Sequence, residues 1–177
     1  MTTDFSFIAA GDITASLVVD ERGNTKNGSG NSKGLGNQTD LNFLLWLRAR
    51  SQIVLTSGIT AEAEDYAYPS SAELAILTRS NRTYPRLADS LNRVRFISAA
   101  SFAEAIASLQ SEGLVRIHTE FGETGFLSLV GDNIDCFLSS REQAGIEHFL
   151  RRTGLQALET FDLSDLQIAR VAGRGRN

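Results

Sequence analysis

Three polar stretches contain the residues of this sequence that could bind or transform a ligand. Two are short turns after apolar runs, at 56–60 and 120–124, and the third is a glycine-rich segment at 23–36. In an open α/β sheet, ligands bind in the loops that follow the carboxyl ends of the strands. The chemistry that such turns indicate is anion binding by polar side chains and free backbone N–H groups.

The first turn follows the apolar run 53–55 and contains Ser57, Gly58 and Thr60. Thr60 is expected to cap a new helix, which would leave backbone N–H groups available to an anion. The same residue types are common in strand-to-helix turns that bind nothing. On local chemistry alone, that purely structural interpretation is favoured.

The glycine-rich segment matches neither of two common phosphate-binding motifs. Residues 23–28 have the glycine spacing of a P-loop, but that motif requires Lys next and this chain has Ser29. A Rossmann fingerprint is also missing, because no Gly-x-Gly-x-x-Gly follows a strand and opens a helix. The segment is too polar to pack as a core element, so it is either mobile filler or a loop that covers a ligand.

Other catalytic and metal-binding motifs are missing from the sequence. His118 and His148 lie far apart without Cys or acidic residues at metal-ligand spacing, so no metal site is predicted. Both histidines are interpreted as packing or surface residues. Cys136 is interpreted as a small buried hydrophobic side chain.

The length and the net charge of the chain argue against some classes of protein. A chain of 177 residues is expected to form one domain, residues 1–177. The net charge of −4 argues against nucleic-acid binding, and Arg170, Arg174 and Arg176 are interpreted as a frayed basic tail. No apolar run reaches the roughly 18 residues of a membrane span. With a single cysteine and no signal-peptide pattern at its start, the chain is expected to be cytoplasmic.

Short apolar runs recur along the chain and predict strands. The predicted strands are 13–19, 52–56, 74–78, 94–97, 114–119, 134–138, 155–161 and 166–171. The run at 53–55 has the composition of a central strand of a parallel sheet. Parallel strands bring their carboxyl ends to one edge, so the turns at 56–60 and 120–124 are expected to lie side by side.

Helix-capping signals separate these strands. Helices are predicted from Thr39 or Asp40 to Arg50, from Ser101 to about Glu112, at 125–130, and from Ser140 to Arg151. Residues 79–93 are expected to form a loop or a short broken helix. The alternation predicts an α/β fold with a mostly parallel sheet between two helical layers, closed by the last two strands as an antiparallel pair.

Taken together, these motifs resemble the reductase domain of bifunctional riboflavin-biosynthesis deaminase/reductases, which has the dihydrofolate-reductase-like fold. That family has Ser-Leu-Asp-Gly on its first strand, a Gly/Ser-rich loop, and Leu-Arg-Ala before a Val-Gly-x-Gly-Thr turn. A Glu-Gly-Gly-Pro-Thr turn before Val-Asp-Glu-Leu follows. The corresponding stretches here are 15–17, 32–36, 47–49, 53–60, 120–124 and 134–135, in the same order.

The resemblance implies a three-layer α/β/α domain that uses NADPH to reduce a pyrimidine- or pterin-type substrate, like 5-amino-6-(5-phosphoribosylamino)uracil reductase. It also implies a homodimer. The residues implied for the cofactor are Ser57, Gly58, Thr60, Glu120, Gly122, Glu123 and Thr124. Those implied for the substrate are Ser16, Asp20, Ser32 and Arg48. Arg48 is either the ligand of a substrate phosphate or a surface cation favoured by the helix dipole.

Several residues depart from the family pattern. Val18 and Val19 replace Asp-Gly, Ser57 and Ile59 replace glycines of the first turn, and Phe121 replaces a glycine of the second. These departures leave open a dihydrofolate-reductase-like domain without turnover that acts as a binding or assembly module. We expect the Phe121 ring to turn into the core, because a ring facing the cofactor would block it.

Overall fold

The computed structural model describes residues 3–131 and 133–173; the predicted tail residues Arg174 and Arg176 lie outside them. The strands are β1 (Ile13–Val19), β2 (Ile53–Ser57), β3 (Glu73–Leu77), β4 (Val94–Ile97), β5 (Ile117–Glu120), β6 (Asp135–Ser140), β7 (Leu155–Leu163) and β8 (Leu166–Gly173). The helices are α1 (Gln38–Arg50), α2 (Gly58–Ala63), α3 (Phe102–Ser111), α4 (Glu123–Leu129) and α5 (Gln143–Thr153). A 3-10 helix covers Pro85–Arg93, in the segment predicted as a loop or broken helix.

All eight strands form one mixed sheet in the order β4-β3-β2-β5-β1-β6-β8-β7. Strands β1 to β6 pair in parallel, and β8 runs antiparallel to both β6 and β7. Residues 53–55 are fully buried in β2, between β3 and β5, which confirms the predicted central strand. Arg170 belongs to β8 and is therefore not part of a frayed tail.

Helices cover both faces of the sheet because alternate strand residues point to opposite sides. On one face, Ile53 and Leu55 pack with α3, α4 and α5. On the other face, Val54 packs with α2, and Phe137 packs with α1. The three-layer α/β/α prediction is confirmed. Among the described residues, no helix has the length and apolarity to cross a membrane.

The predicted caps of α1 and α5 are wrong. Helix α1 is capped by Asn37, whose side chain accepts from the Asp40 N–H, rather than by Thr39 or Asp40 themselves. Ser140 is the buried last residue of β6 and does not cap α5. Its backbone is paired with both β1 and β8, and this pairing keeps it extended in the strand. The local preference of serine for a helix N-cap is therefore not realised. The predicted Ser101 cap of α3 is confirmed.

Strand β5 begins three residues later than predicted, at Ile117 instead of 114. The Leu114 N–H still closes α3 on the Leu109 carbonyl. The next two N–H groups, of Val115 and Arg116, donate to the side chain of Gln52. Because both N–H groups bind Gln52 instead of a neighbouring strand, β5 starts only after them.

Candidate functional site

The two polar turns lie side by side at the carboxyl edge of the sheet, as predicted. Thr56 is opposite Glu120 in the parallel pairing of β2 and β5. The Thr56 hydroxyl donates to the Glu120 carbonyl at 2.7 Å. Beyond the strands, the Gly122 N–H donates to Thr60 Oγ1 at 3.2 Å. The turns are thus hydrogen-bonded into one surface.

The first turn is capped differently from the prediction. Ser57, not Thr60, is the N-cap of α2, and its Oγ accepts from the Thr60 N–H at 3.1 Å. Thr60 therefore lies inside the first helical turn. Its hydroxyl is the acceptor for Gly122, so the Gly122 N–H already has a partner within the protein.

A cavity of about 660 Å³ opens between the turns, the glycine loop (residues 23–36), β1 and α1. This volume lies within the usual range of small-molecule sites, about 300–1,000 Å³. The predicted cofactor residues on its wall are Ser57, Thr60, Glu120, Gly122, Glu123 and Thr124. The predicted substrate residues Ser16 and Ser32 also line it. Gly58 lines an adjoining cavity of about 340 Å³.

Asp20 does not line either cavity, contrary to the prediction. Its carboxylate accepts hydrogen bonds from the backbone N–H groups of Arg22 and Asn24 and from the Asn24 side chain. These bonds lower the pKa of Asp20 although its partial burial opposes them. The residue therefore fixes the turn after β1 instead of facing either cavity.

The glycine loop covers the cavity and is held at two points. The Thr25 hydroxyl donates to Glu123 at 3.1 Å, next to the second turn. The Ser32 N–H donates to Glu64 at 2.7 Å, just after the first turn's helix. Of the two interpretations of this segment, a loop over a ligand site agrees better with these contacts than filler does.

Arg48 does not line the cavity. It binds Glu120 and Tyr66, which do line it. Its guanidinium donates two hydrogen bonds of 2.6 Å to the Glu120 carboxylate and one of 2.8 Å to the Tyr66 hydroxyl. The Arg48 side chain is only 16% exposed, so it is not the surface cation that was one of our interpretations. Burial alone would raise the pKa of Glu120, but the Arg48 charge brings it below its ordinary value.

His118, interpreted from the sequence as a packing or surface residue, is a member of the same buried network. The ring is fully buried, with Nδ1 2.8 Å from Thr14 Oγ1 and Nε2 3.2 Å from Ser16 Oγ. Its Nε2 is also 3.5 Å from Glu120, two residues along the same strand face. That spacing of His118 and Glu120 was the available signal, since residues two apart on a strand share a face. Tyr66, whose hydroxyl donates to Glu120 in this network, was also missed.

Because His118 is buried, we expect acid to lower the stability of the folded protein. Burial lowers the pKa of His118 to about 4, although the Glu120 carboxylate opposes the shift. In the unfolded chain, His118 has an ordinary pKa near 6.5. Between the two pKa values, the unfolded chain therefore binds more protons than the folded protein does. The free energy of unfolding should therefore fall as the pH drops from 6.5 towards 4, with a slope of up to about 1.4 kcal/mol per pH unit.

Urea denaturation at several pH values tests this prediction. His118→Gln keeps hydrogen-bonding groups but does not titrate, so it should flatten the dependence. His148→Gln, on the exposed side of α5, is the matched control and should retain it. An identical slope in His118→Gln and the natural protein would contradict the assignment.

Phe121 is turned into the core, as predicted. It is 4% exposed and shares a core cluster with Ile117 and Leu138. Its ring centroid is 4.1 Å from that of Phe102. Gly125 makes room for it, because a Cβ at that position would lie 2.4 Å from the Phe121 Cβ. The ring is therefore packed in the core, where Phe121 and Phe102 also form part of the cavity lining.

No protein-family model matches this chain, and no curated protein matches its sequence. Solved structures do match its fold. RibD of Acinetobacter baumannii superposes with a TM-score of 0.70 at 15% identity. The riboflavin biosynthesis reductase of Saccharomyces cerevisiae superposes with a TM-score of 0.64 at 11% identity, over 93% of each chain. This chain has the fold of these reductases.

A third reductase-type match is the diaminohydroxyphosphoribosylaminopyrimidine deaminase/5-amino-6-(5-phosphoribosylamino)uracil reductase of Thermotoga maritima, with a TM-score of 0.67 at 11% identity. The matched part is 91% of this chain but 56% of that protein. For the Acinetobacter protein, the matched part is 93% of this chain and 59% of that protein. The chain thus spans little more than half the length of these two proteins. The superpositions confirm the predicted dihydrofolate-reductase-like α/β fold.

Proposed function

We propose that this chain is an NADPH-dependent reductase that transfers hydride to a small heterocyclic substrate, in the manner of the aminouracil reductases whose fold it shares. The observation that carries the proposal is the cavity beneath the glycine loop, which joins both polar turns to β1. The cofactor would supply the hydride. The protein would hold the two reacting rings together and exclude water, which needs no nucleophile or metal.

The second turn has room for a phosphate-bearing cofactor. Gly122 has an extended backbone, and a Cβ added there would meet only Thr60 Oγ1, at 3.9 Å. The inward position of Phe121 keeps that space open. In this proposal, Ser57, Thr60 and Thr124 contact the cofactor, and Ser16 faces the substrate across the cavity.

Titration with NADPH, followed by its fluorescence, tests the proposal. We expect saturable binding with a dissociation constant in about the micromolar range, equivalent to roughly 8 kcal/mol. Gly122→Val should fold normally, since its backbone is extended and its surroundings are open, yet fill the space over the turn. It should weaken NADPH binding by about tenfold or more, equivalent to at least roughly 1.4 kcal/mol.

Gly173→Val is the matched control, because Gly173 lies at the end of β8 with open space around it. It should bind NADPH like the natural protein. If the natural protein binds no NADPH while both variants fold, the reductase proposal fails and the binding or assembly module replaces it.

We also propose that two copies of the chain form a homodimer. The support is the family resemblance and the general frequency of two-fold pairs. Sedimentation velocity at tens of micromolar, a roughly ordinary range for weak association, should give the mass of a dimer. A monomer at that concentration would contradict the proposal.

A further inference from the structure

The proposed hydride transfer leaves His118 without a role, although the ring lies directly behind the cavity wall. Its side chain is fully buried and does not line the cavity. Its Nε2 lies 3.2 Å from Oγ of Ser16, which does line the cavity. The closest polar contact between the ring and the cavity wall is therefore the Ser16 hydroxyl.

This arrangement is not that of a serine nucleophile. In a catalytic triad, the serine and the carboxylate contact different nitrogens of the histidine ring. Here Ser16 Oγ and Glu120 Oε1 both approach Nε2, at 3.2 and 3.5 Å, and Nδ1 is bound to Thr14. Burial also lowers the pKa of His118 to about 4, so the ring is neutral and a weak base. The ring acts on Ser16 through a hydrogen bond alone.

Glu120 decides which ring nitrogen of His118 carries the proton. Arg48 lowers the pKa of Glu120, so its carboxylate is ionised and can only accept hydrogen bonds. Because its Oε1 lies 3.5 Å from Nε2, a proton on Nε2 is attracted and a lone pair there is repelled. Nδ1 is then the acceptor, and the Thr14 hydroxyl donates to it at 2.8 Å. The neutral ring is therefore the Nε2–H tautomer.

This tautomer fixes the direction of the hydrogen bond to Ser16. The Nε2–H group donates to Ser16 Oγ, so the hydroxyl hydrogen is directed away from the ring. The Ser16 side chain has no second hydrogen-bond partner among the residues that the structure describes. Because Ser16 lines the cavity, its hydrogen is available to an acceptor atom of a ligand.

We propose that His118 is a positioning residue that presents the Ser16 hydroxyl hydrogen to the substrate, where it binds the oxygen or nitrogen of the double bond that is reduced. This inference rests on the proposed reductase function and narrows its substrate class to small cyclic ketones and imines. When the substrate carbon receives hydride and NADPH is oxidised to NADP+, the electron pair of the double bond moves to that oxygen or nitrogen, which then takes a proton from water. A donor fixed beside that atom stabilises the developing charge.

Nitrogen NMR of the histidine rings tests the tautomer without any ligand. The chain has two histidines, so the spectrum of His148→Gln identifies the signals of His118. At neutral pH, we expect the pattern of a ring that is protonated on Nε2 and unprotonated on Nδ1. A ring protonated on Nδ1, or an equal mixture of the two tautomers, would overturn the inference.

Calorimetric titration with isatin tests the Ser16 donor, both with and without saturating NADPH. Isatin is a flat heterocyclic ketone, and indole is the matched ring system without carbonyl groups. We expect isatin to bind at least about tenfold more tightly than indole. Ser16→Ala should weaken isatin binding by about fivefold or more and leave indole binding unchanged. Ser111→Ala, at an exposed position of α3, is the control and should change neither.

Two substitutions of His118 separate positioning from a purely structural role. His118→Gln keeps a donor on the side chain and should retain the preference for isatin over indole. His118→Leu fills the buried site without a donor, so Ser16 loses the partner that fixes its hydroxyl group. The preference should then fall by about threefold or more. Equal preference in two folded variants would show that His118 has only a structural role.

The isatin titrations can also overturn the inference directly. Isatin affinity that is unchanged in Ser16→Ala, or that is no higher than the affinity for indole, would contradict a donor at Ser16. Failure of NADPH binding would reject the reductase proposal alone. The NMR spectra and the titrations without NADPH then decide the roles of His118 and Ser16 by themselves.

Discussion

Replacing Arg48 with methionine is expected to lower the free energy of unfolding by about 3–5 kcal/mol, the usual cost of breaking a buried ion pair. The guanidinium holds both oxygens of Glu120 at 2.6 Å in a site where neither side chain exceeds 16% exposure. Without it, the carboxylate stays buried with Tyr66 and His118 as its remaining side-chain partners among the described residues. The loss should appear as a lower midpoint of urea denaturation.

Two variants give this prediction its controls. Arg48→Met combined with Glu120→Gln removes both charges, so it should recover a large part of the lost stability. Arg95→Met breaks the exposed pairs with Glu73 and Glu112 and should cost no more than about 1 kcal/mol. Equal losses in Arg48→Met and Arg95→Met would show that burial of the first pair has no energetic consequence.

Phe121→Gly should lower the free energy of unfolding by about 3–5 kcal/mol, the range for emptying a buried aromatic site. The ring packs against Phe102 and fills the space left by Gly125. It lies in the core and not across the turn, so the same change should leave NADPH affinity nearly unchanged. Denaturation and NADPH titration of one preparation measure both quantities.

Phe121→Leu keeps an apolar side chain in the core and is the comparison for this variant. It should lose less stability than Phe121→Gly and bind NADPH equally well. The opposite pattern, in which Phe121→Gly gains NADPH binding that the natural protein lacks, would identify the ring as a block. The domain without turnover would then be the better interpretation.

The elements and their alternation could be predicted from the sequence because they depend on local patterns. The apolar run 53–55, the Ser101 cap and the Phe121 orientation all follow from neighbouring residues or from the space that a ring requires. The Ser140 cap failed because strand pairing with β1 and β8 decided its conformation. That pairing is not local, so a capping motif cannot reveal it.

The candidate site was predictable in position but not in its internal contacts. The turns were identifiable because parallel strands bring their carboxyl ends to one edge. The bond from Arg48 to Glu120 joins residues 72 positions apart, and that from Thr14 to His118 joins residues 104 apart. Only the folded sheet reveals that Arg48 serves a buried carboxylate instead of facing a ligand.

The strand order also determines when the site can form during folding. Strands β2, β3 and β4 are neighbours in both sequence and sheet, so they can pair across short connections. Strand β1 pairs with β5 and β6, and its contacts must close a loop of about 100 residues, which is slow on entropic grounds. Ser16 on β1 and Gly122 after β5 come to line the same cavity only after that loop has closed. The candidate cavity is therefore a property of the completed sheet and of no contiguous piece of the chain.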